Sequence, residues 1–200
     1  MRMTSKKMGR NPFIVAFAPI RFITAGGYLA VSYLQSREST GDIDCLIDPE
    51  FVGDKDIITP FEEAVQVVAK KLDYNPEWMN DAMSIFVIQK TRKLLFEQAD
   101  QQDIILYKGE NLEIRAAPIE WALERKLRRI HAVYRNNKGA MDISDAVAML
   151  KHMRTRNDGP MDGEVVRKMN MNGFDVEPDR ETMNRVADEY RRKYGEEIFK

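Results

Sequence analysis

The stretch of sequence that decides the fold is Ala25-Gly26-Gly27, followed by a spacer and then by Ser39-Thr40-Gly41-Asp42-Ile43-Asp44-Cys45-Leu46-Ile47. Fourteen residues separate Gly27 from Asp42. From Asp42 onward, acidic and apolar side chains alternate, which is the period-two pattern of a strand with one buried face. The residues after the glycine pair, 28–35, predict a short helix. The stretch therefore predicts a glycine turn, a helix and a strand in that order.

The residue types in this stretch indicate a site for phosphate and metal. Asp42 and Asp44 are two positions apart on the predicted strand, so their carboxylates share one face and form an oxygen site suited to Mg²⁺. Gly26-Gly27 leaves no side chain between the backbone and a ligand, and a helix N-terminus with free N–H groups follows. Ser39-Thr40 adds hydroxyl donors. A solvated strand face after an ordinary turn would contain the same residues, but the three features in this order favour a nucleotide triphosphate site.

Composition excludes several classes of protein. The chain has 200 residues, of which 44% are hydrophobic and 32% charged, so it is neither a disordered tail nor a membrane bundle. The formal net charge of −1 excludes a globally basic nucleic-acid binder, although local basic patches remain possible. The single cysteine, Cys45, excludes a disulfide framework and a cysteine-rich zinc site, and it favours a reducing cytoplasmic environment.

The N-terminal region raises the question of a membrane segment. Arg2, Lys6, Lys7 and Arg10 precede a largely apolar stretch over residues 13–34. Such a pattern could indicate a signal peptide or a membrane span. Arg21 near its centre, Pro19 and the glycine pair oppose that interpretation, because a charge at the middle of a bilayer costs about 2.5–3.5 kcal/mol. We therefore expect no membrane partner.

The rest of the chain predicts a mixed α+β protein with a small mixed sheet flanked by helices, followed by a C-terminal helical region. Elements are expected as follows: a helix from Thr59-Pro60 to Leu72, a strand over 84–89, a hairpin of 103–107 with 112–116, and helices over 118–134, 143–154, 162–171 and 180–193. We place an α/β core at residues 1–117 and a helical region packed on it at residues 118–200. The tail after Arg156 is interpreted as an appended helical subdomain.

The glycine pair and Arg37-Glu38-Ser39-Thr40-Gly41-Asp42-Ile43-Asp44 together resemble the signature of the nucleotidyltransferase superfamily, which has the polymerase-beta-like fold. The version of the motif is similar to that of the abortive-infection type nucleotidyltransferase toxins and their relatives. Weaker similarities extend the resemblance over about residues 22–150, namely Trp78-Met79-Asn80-Asp81, Lys126-Leu127, and Arg135 with Met141-Asp142-Ile143-Ser144-Asp145. The 14-residue spacer is at or just past the long end of the usual range, and Met141 stands where relatives often have a basic residue.

The resemblance implies transfer of a nucleoside monophosphate from a nucleotide triphosphate to an RNA, such as a tRNA, or to a protein, with release of pyrophosphate. Asp42 and Asp44 would then be catalytic residues that hold two Mg²⁺ ions, while Gly26, Gly27, Ser39 and Thr40 would bind the phosphates. The basic residues Arg125, Lys126, Arg128, Arg129 and Arg135 could face an RNA backbone.

Further site residues follow from the same resemblance. A third catalytic carboxylate is expected on a neighbouring strand, with Glu113 as first choice and Asp103 as its rival; Glu113 could instead be an exposed hairpin residue. Lys126 would reach the phosphates, oriented by Asp142 or Asp145. Lys126 could also belong to a solvated helix face, and Asp142 could simply cap the next helix.

Two alternatives belong to other functional classes. The first is a non-catalytic relative of the same fold that binds a nucleotide or a protein partner, because a fold does not prove an activity. The second is an interaction protein whose tail docks on another chain. Mg²⁺-dependent nucleotide binding separates the second alternative from the others, and transfer of labelled phosphate separates enzyme from non-catalytic relative.

Overall fold

The computed structural model describes residues 1–132, 137–173 and 176–200 and confirms a mixed α+β protein. Its helices are α1 (Arg2–Met8), α2 (Pro12–Phe17), α3 (Gly27–Ser32), α4 (Lys55–Leu72), α5 (Gln89–Gln102), α6 (Ile119–Ala132), α7 (Asn137–Arg156), α8 (Gly163–Arg167) and α9 (Arg180–Tyr194). Its strands are β1 (Ile20–Thr24), β2 (Ile43–Ile47), β3 (Met79–Asn80), β4 (Ile105–Lys108) and β5 (Leu112–Ala116). Pro49–Phe51 and Ala82–Phe86 are 3-10 helices.

The chain divides into two compact units. The first, the sheet unit, consists of Met1–Tyr33 and Glu38–Pro118. The second, the helical unit, consists of Leu34–Arg37 and Ile119–Lys200. The division at Pro118 lies next to the boundary expected from the sequence. The sequence did not indicate that the short segment Leu34–Arg37 belongs with the helices.

The sheet unit contains five strands in the order β3-β2-β1-β5-β4. The central strand β1 pairs antiparallel with β2, where Thr24 lies opposite Cys45, and parallel with β5, where Arg21 lies opposite Glu113. Strand β3 pairs in parallel with β2 at the edge of the sheet. Strand β4 forms the antiparallel hairpin with β5 that the sequence predicted. The register of these pairs fixes how far apart acidic residues on different strands lie.

One face of the sheet forms the main core of this unit. Side chains that alternate along β1, β2 and β5 contribute to it, and α1, α2 and α4 cover it, as shown by the buried cluster of Met8, Ile14, Ile20, Phe22, Ile43, Cys45, Ile47, Ile57, Phe61, Leu112 and Ile114. Cys45 is fully buried, and burial raises the pKa of its thiol well above the usual value. The predicted inward face of β2, Ile43, Cys45 and Ile47, is therefore confirmed.

Two local predictions in the sheet unit were wrong. Helix α4 begins at Lys55 rather than at Thr59-Pro60, because Asp54 caps it by accepting a hydrogen bond from the Asp56 N–H, and Pro60 lies inside the helix. The segment expected as a strand over 84–89 begins in a 3-10 helix instead. Its apolar side chains are not paired across a sheet, since Ile85 is 79% exposed and Ile88 66%.

The helical unit buries apolar side chains from all four of its helices. Trp121 of α6, Val147 of α7, Val166 of α8 and Tyr190 of α9 are buried, as is Ile198 after α9. Helices α8 and α9 pack on α6, and α9 also packs on α7. The tail is thus part of this unit's core rather than an appendage to it.

In the N-terminal region, the apolar stretch of residues 13–34 contains the end of α2, strand β1 and α3, rather than one long helix. Among the helices that the structure describes, none is both long enough and apolar enough to cross a membrane.

Candidate functional site

The structure brings Gly26 and Asp44 into contact at one end of the sheet. Strand β1 ends at Thr24 and α3 begins at Gly27, so Gly26 is the residue before the helix. Because Thr24 lies opposite Cys45, the preceding residue on β2, Asp44, lies beside the turn. A Cβ atom added to Gly26 would be 3.3 Å from Asp44 Oδ2. The glycine therefore leaves space for this carboxylate next to the helix N-terminus.

Two hydrogen bonds fix the geometry of this turn. Thr24 Oγ1 donates a 2.6 Å hydrogen bond to the Asp44 carbonyl oxygen, and Gly26 C=O accepts the Ala30 N–H, as expected of the residue before a helix. The first N–H groups of α3, beginning at Gly27, have no acceptor inside the helix. The Asp44 carboxylate and N–H groups that have no acceptor inside α3 thus lie at the same place, where they could bind a cation and a phosphate.

Asp42, Ser39 and Thr40 lie in the segment that leads into β2. Asp42 is exposed and immediately precedes the first strand residue, Ile43. Thr40 Oγ1 donates to the Asp42 carbonyl oxygen at 3.0 Å, so this hydroxyl supports the loop. Ser39 is exposed. The structure therefore places Asp42 at the start of the strand that carries Asp44, rather than within it.

Glu113, the expected third carboxylate, lies far from this pair. The alternation predicted its face correctly, because Arg21 is opposite Glu113 on the face that Asp44 shares. By the same register, however, Asp44 lies opposite residue 25, which is four residues along the chain from Arg21, the residue opposite Glu113. In addition, β1 lies between β2 and β5. Four residues at about 3.3 Å and two strand spacings of about 4.8 Å give roughly 16 Å between the Cα atoms. Ligands of one Mg²⁺ lie about 2.0–2.1 Å from it, so Glu113 is not placed to share an ion with Asp44.

Glu113 has other partners in the structure. It is 3% exposed, which corrects the alternative of an exposed hairpin residue. Its carboxylate accepts a 2.6 Å hydrogen bond from Arg115 Nε and lies 3.8 Å from Lys108 Nζ. It belongs to an ionic network on this face of the sheet, in which Arg115 and Arg21 also pair with Asp100 of α5. These contacts give Glu113 a structural role.

Asp103, the rival third carboxylate, is also separated from Asp44. It ends α5 just before β4, and β4 is three strand spacings from β2, about 14 Å across the sheet. Its Oδ1 accepts a 3.0 Å hydrogen bond from Arg115 Nη1, and its side chain is 73% exposed. Neither candidate therefore joins Asp42 and Asp44.

Asp81 is a residue near Asp44 that reasoning from the residues did not single out. Parallel pairing of β2 with β3 sets Asn80 opposite Asp44, and Asp81 follows. Desolvation by burial raises the pKa of its carboxyl to about 6, against the opposing charge of Arg92, whose Nη2 is 3.8 Å away. Its Oδ1 is buried without a hydrogen-bond partner. In the sequence, Asp81 was indicated only by the resemblance of the run Trp78-Met79-Asn80-Asp81 to a segment of the nucleotidyltransferase relatives.

Lys126 and Asp142 lie in the helical unit, in a buried cluster of charges. Lys126 Nζ is 2.9 Å from Asp142 Oδ1 and 2.7 Å from Asp145 Oδ2. Arg37 pairs with Asp145 through Nε at 2.9 Å and Nη2 at 2.6 Å, and Arg129 pairs with Asp142. Burial raises the pKa of Asp142, but hydrogen bonds and charges from Arg129 and Lys126 outweigh this and hold that pKa below its usual value. Of these five side chains only Arg129 is exposed, at 54%, and we name the five the buried charge cluster.

The cluster corrects two alternatives considered from the sequence. Lys126 is 4% exposed, so it does not belong to a solvated helix face. Asp142 lies within α7, five residues after its first residue Asn137, so it does not cap that helix. Both Asp142 and Asp145 hold the Lys126 ammonium, as the sequence suggested for one or the other. Contact of Lys126 with a nucleotide remains a prediction.

The basic run of α6 is largely engaged inside the helical unit. The Arg125 guanidinium lies over the Trp121 ring, 4.9 Å from its centroid. Arg128 Nη2 donates to the Met169 carbonyl oxygen at 2.9 Å, and its Nε lies 3.4 Å from Glu124. Arg129 pairs with Asp142, and Arg135 lies outside the described residues. Arg125, Arg128 and Arg129 therefore have contacts inside the helical unit, and their contact with an RNA backbone remains a prediction.

Within the described ranges, no group of three or more His, Cys, Asp or Glu side chains is arranged to hold a metal ion. Comparison of the chain with protein-family models, with curated proteins and with solved structures finds no match.

Proposed function

We propose that this protein binds a nucleoside triphosphate as its Mg²⁺ complex at the turn between β1 and α3. The observation that supports this most directly is the contact between Gly26 and the Asp44 carboxylate, with the N–H groups of α3 beside it. Proteins commonly bind triphosphates through a divalent cation and backbone N–H donors, and this turn offers a cation ligand and donors at one point. Asp42 supplies a second carboxylate from the start of β2.

The residues present fit one Mg²⁺ ion. Mg²⁺ in proteins is commonly bound by one or two carboxylates together with waters and substrate phosphates, rather than by a complete protein cage. Asp42 and Asp44 are such a pair, so a group of three protein ligands is not required. When bound, the ion would neutralise charge on the triphosphate. The second ion implied by the resemblance would need a further carboxylate, which Glu113 and Asp103 do not supply.

Transfer of the nucleoside monophosphate to an acceptor requires groups at the site that binding alone does not require. An acceptor hydroxyl must lose its proton and lie in line with the α-phosphate. A third carboxylate beside the metal was expected for this task, and the register keeps both candidates away. Nucleotide binding is therefore the function that the geometry supports best, and nucleotidyl transfer to an RNA or protein is the stronger claim to test after it.

Titration calorimetry with ATP, GTP, CTP and UTP, with and without Mg²⁺, tests the proposal. We expect binding that requires Mg²⁺ and that is lost in the Asp42→Ala, Asp44→Ala double variant while its circular dichroism is unchanged. The matched control is Glu62→Ala with Glu63→Ala, which removes two exposed negative charges from α4 of the same unit. Wild-type affinity in the aspartate double variant would refute the site.

A transfer assay then separates the enzyme from the non-catalytic relative. The protein is incubated with each triphosphate labelled at the α-phosphate, together with tRNA or with a protein mixture. Label on either acceptor that depends on Asp42 and Asp44 establishes nucleotidyl transfer. Binding without transfer establishes the non-catalytic function. Absence of any Mg²⁺-dependent binding leaves the interaction protein as the remaining class.

A further inference from the structure

A second concave site in the sheet unit lies at the opposite end of the sheet from Gly26. It is a cavity of about 540 Å³ between α1 and the turn that joins β4 to β5. Asn111 in this turn accepts the N–H of Ile20, the first residue of β1, whereas Gly26 follows the last residue of that strand. Gly26 is six residues after Ile20 along an extended segment that begins with the five residues of β1, which corresponds to about 20 Å at 3.3 Å per residue. The cavity is therefore distinct from the proposed triphosphate site.

Positive charge dominates the lining of this cavity. Arg2, Lys6 and Lys108 line it, against a single acidic residue, Glu110. All three cations are exposed, and Lys108 makes only a 3.8 Å contact with Glu113, whose closer partner is Arg115. In the portions of the chain that the structure describes, no ion pair joins Arg2 or Lys6 to a carboxylate. The cavity thus carries a net positive charge that the protein itself leaves uncompensated.

The position of Arg2 on α1 does not favour helix stability, whereas Lys6 lies in the last turn, where the helix dipole favours a cation. They are four residues apart on one helix, where like charges repel. Arg2 is also in the first turn, where the helix dipole disfavours a cation, and α1 has no acidic residue in that turn. A bound anion would relieve both effects. The repulsion between the two side chains and the place of Arg2 in the first turn are more readily explained by a ligand than by folding.

The walls of the cavity are fixed by close contacts. Ser5 Oγ accepts the Asn111 N–H at 3.1 Å, and the Ser5 carbonyl oxygen accepts a 3.1 Å hydrogen bond from Asn111 Nδ2, so α1 is tied to the turn. A Cβ atom on Gly109 would lie 2.7 Å from the Tyr107 hydroxyl, and one on Gly9 would lie 2.5 Å from Asn111 Nδ2. Helix and turn therefore fix the backbone positions from which Arg2, Lys6 and Lys108 extend.

We propose that this cavity binds a phosphate-bearing anion, presented either by a single-stranded RNA backbone or by a free polyphosphate. Arginine and lysine with adjacent hydroxyl groups are the side chains that bind phosphate oxygens. The volume lies in the range of small-ligand sites. A concave site admits a flexible phosphate chain, whereas the plane of a lipid bilayer does not enter it. This site needs neither Mg²⁺ nor Asp42 and Asp44, so it is independent of the proposed function.

Binding is measured without Mg²⁺ by fluorescence anisotropy with a labelled single-stranded RNA of about ten nucleotides, and by calorimetry with sodium tripolyphosphate. The test variant is Arg2→Gln with Lys6→Gln, which changes two exposed side chains. The control is Lys90→Gln with Lys93→Gln, which removes two exposed cations from α5 of the same unit. We expect the test variant to bind each probe roughly tenfold more weakly or worse. Each of its two substitutions removes one charged hydrogen bond to a phosphate oxygen. The salt dependence of RNA binding should lose about 1.4 in log–log slope, about 0.7 for each phosphate contact removed.

The outcomes are distinct. RNA binding weakened only in the test variant supports the site with a nucleic-acid ligand, and tripolyphosphate binding alone, weakened in the same way, supports it with a small ligand. Equal weakening in both variants would show a general charge effect and overturn the proposal. Preference for vesicles of anionic phospholipid over both probes would overturn it in favour of a membrane surface that uses the exposed side chains Phe13 and Phe17. Absence of binding to all three probes would also overturn it.

Discussion

The buried charge cluster predicts that two substitutions in direct contact have unequal effects on stability. Arg37, Lys126 and Arg129 supply three positive charges and Asp142 and Asp145 two negative ones, a net charge of +1 from the pairs in the structure. Lys126→Met removes a cation and brings the cluster to zero. Asp145→Asn removes an anion and brings it to +2. Removing the anion should therefore destabilise the helical unit much more.

The contacts set the size of the difference. Asp145 is fully buried, and it accepts hydrogen bonds from Arg37 Nε and Nη2 and from Ser36 Oγ, besides its contact with Lys126. Its loss leaves Asp142 as the remaining counter-charge for Lys126, Arg37 and Arg129, and removing one partner of buried ion pairs in this way costs about 3–5 kcal/mol. After Lys126→Met, Arg37 still pairs with Asp145 and Arg129 with Asp142, and the methionine fills the lysine's volume. We therefore expect Lys126→Met to lower the free energy of unfolding by about 1–2 kcal/mol, through loss of the contacts of Lys126 with Asp142 and Asp145.

Urea unfolding followed by circular dichroism measures both changes in the free energy of unfolding. Asp158→Asn is the matched control, because it makes the same chemical change at an exposed residue of the helical unit and should shift the free energy by less than about 0.5 kcal/mol. A Lys126→Met loss as large as that of Asp145→Asn would refute the charge argument. Triphosphate titration of Lys126→Met adds a functional readout: a folded variant that no longer binds would support Lys126 as a nucleotide contact.

Three further predictions test other parts of the structure. Gly26→Val should weaken Mg²⁺-dependent nucleotide binding roughly tenfold or more by crowding Asp44 Oδ2, whereas Gly41→Val, where a Cβ meets nothing within 4 Å, should bind normally in the same titration. Asp81→Asn should raise the free energy of unfolding at pH 7–8 by about 1 kcal/mol, a value reduced for a side chain 40% exposed. The raised pKa of about 6 means that folded wild type binds more protons than unfolded chain between about pH 4 and 6, so wild-type stability should fall as pH rises through that window, and the Asn variant should lack this fall in urea titrations. Deleting residues 157–200 removes Tyr190 and Ile198 from the core of the helical unit and should abolish its cooperative thermal unfolding; a truncated chain with an unchanged transition would contradict that packing.

Much of the fold followed from local patterns in the sequence. The alternation of Ile43, Cys45 and Ile47 identified β2 and its buried face, and the turn residues 108–111 identified the β4–β5 hairpin. The hydrophobic pattern gave a wrong prediction where a run of apolar residues did not form a buried strand. Residues 85–88 are apolar, yet local hydrogen bonds such as that from the Ser84 N–H to the Asp81 carbonyl oxygen form a 3-10 turn there. Periodicity records which side chains could be buried together, but not whether a partner strand is available.

The charges of the helical unit could not be predicted for a related reason. The run Glu124-Arg125-Lys126-Leu127-Arg128-Arg129 has the composition of a solvated helix face. Lys126 is nevertheless buried, because its counter-charges come from Asp142 and Asp145 on the next helix, and Arg37 joins them from a segment almost ninety residues earlier. A lone buried lysine would be strongly unfavourable, whereas one enclosed by two carboxylates is not. That distinction depends on contacts between distant residues.

Glu113 shows which part of a site the sequence can supply and which part it cannot. Its alternation with Leu112 and Ile114 placed its side chain on the same face of the sheet as Asp44, and the strand pairings agree. Its level along the strands depends on the parallel pairing of β1 with β5, two segments about ninety residues apart, and no local pattern encodes that register. The pairing sets Glu113 opposite Arg21, at the end of the sheet away from Gly26, where Arg115 neutralises it. The position of Asp44 depends on segments that are close in the sequence, because β1, the glycine turn, α3 and β2 follow one another directly. The two-carboxylate part of the site could be proposed from sequence for this reason, and the third carboxylate could not.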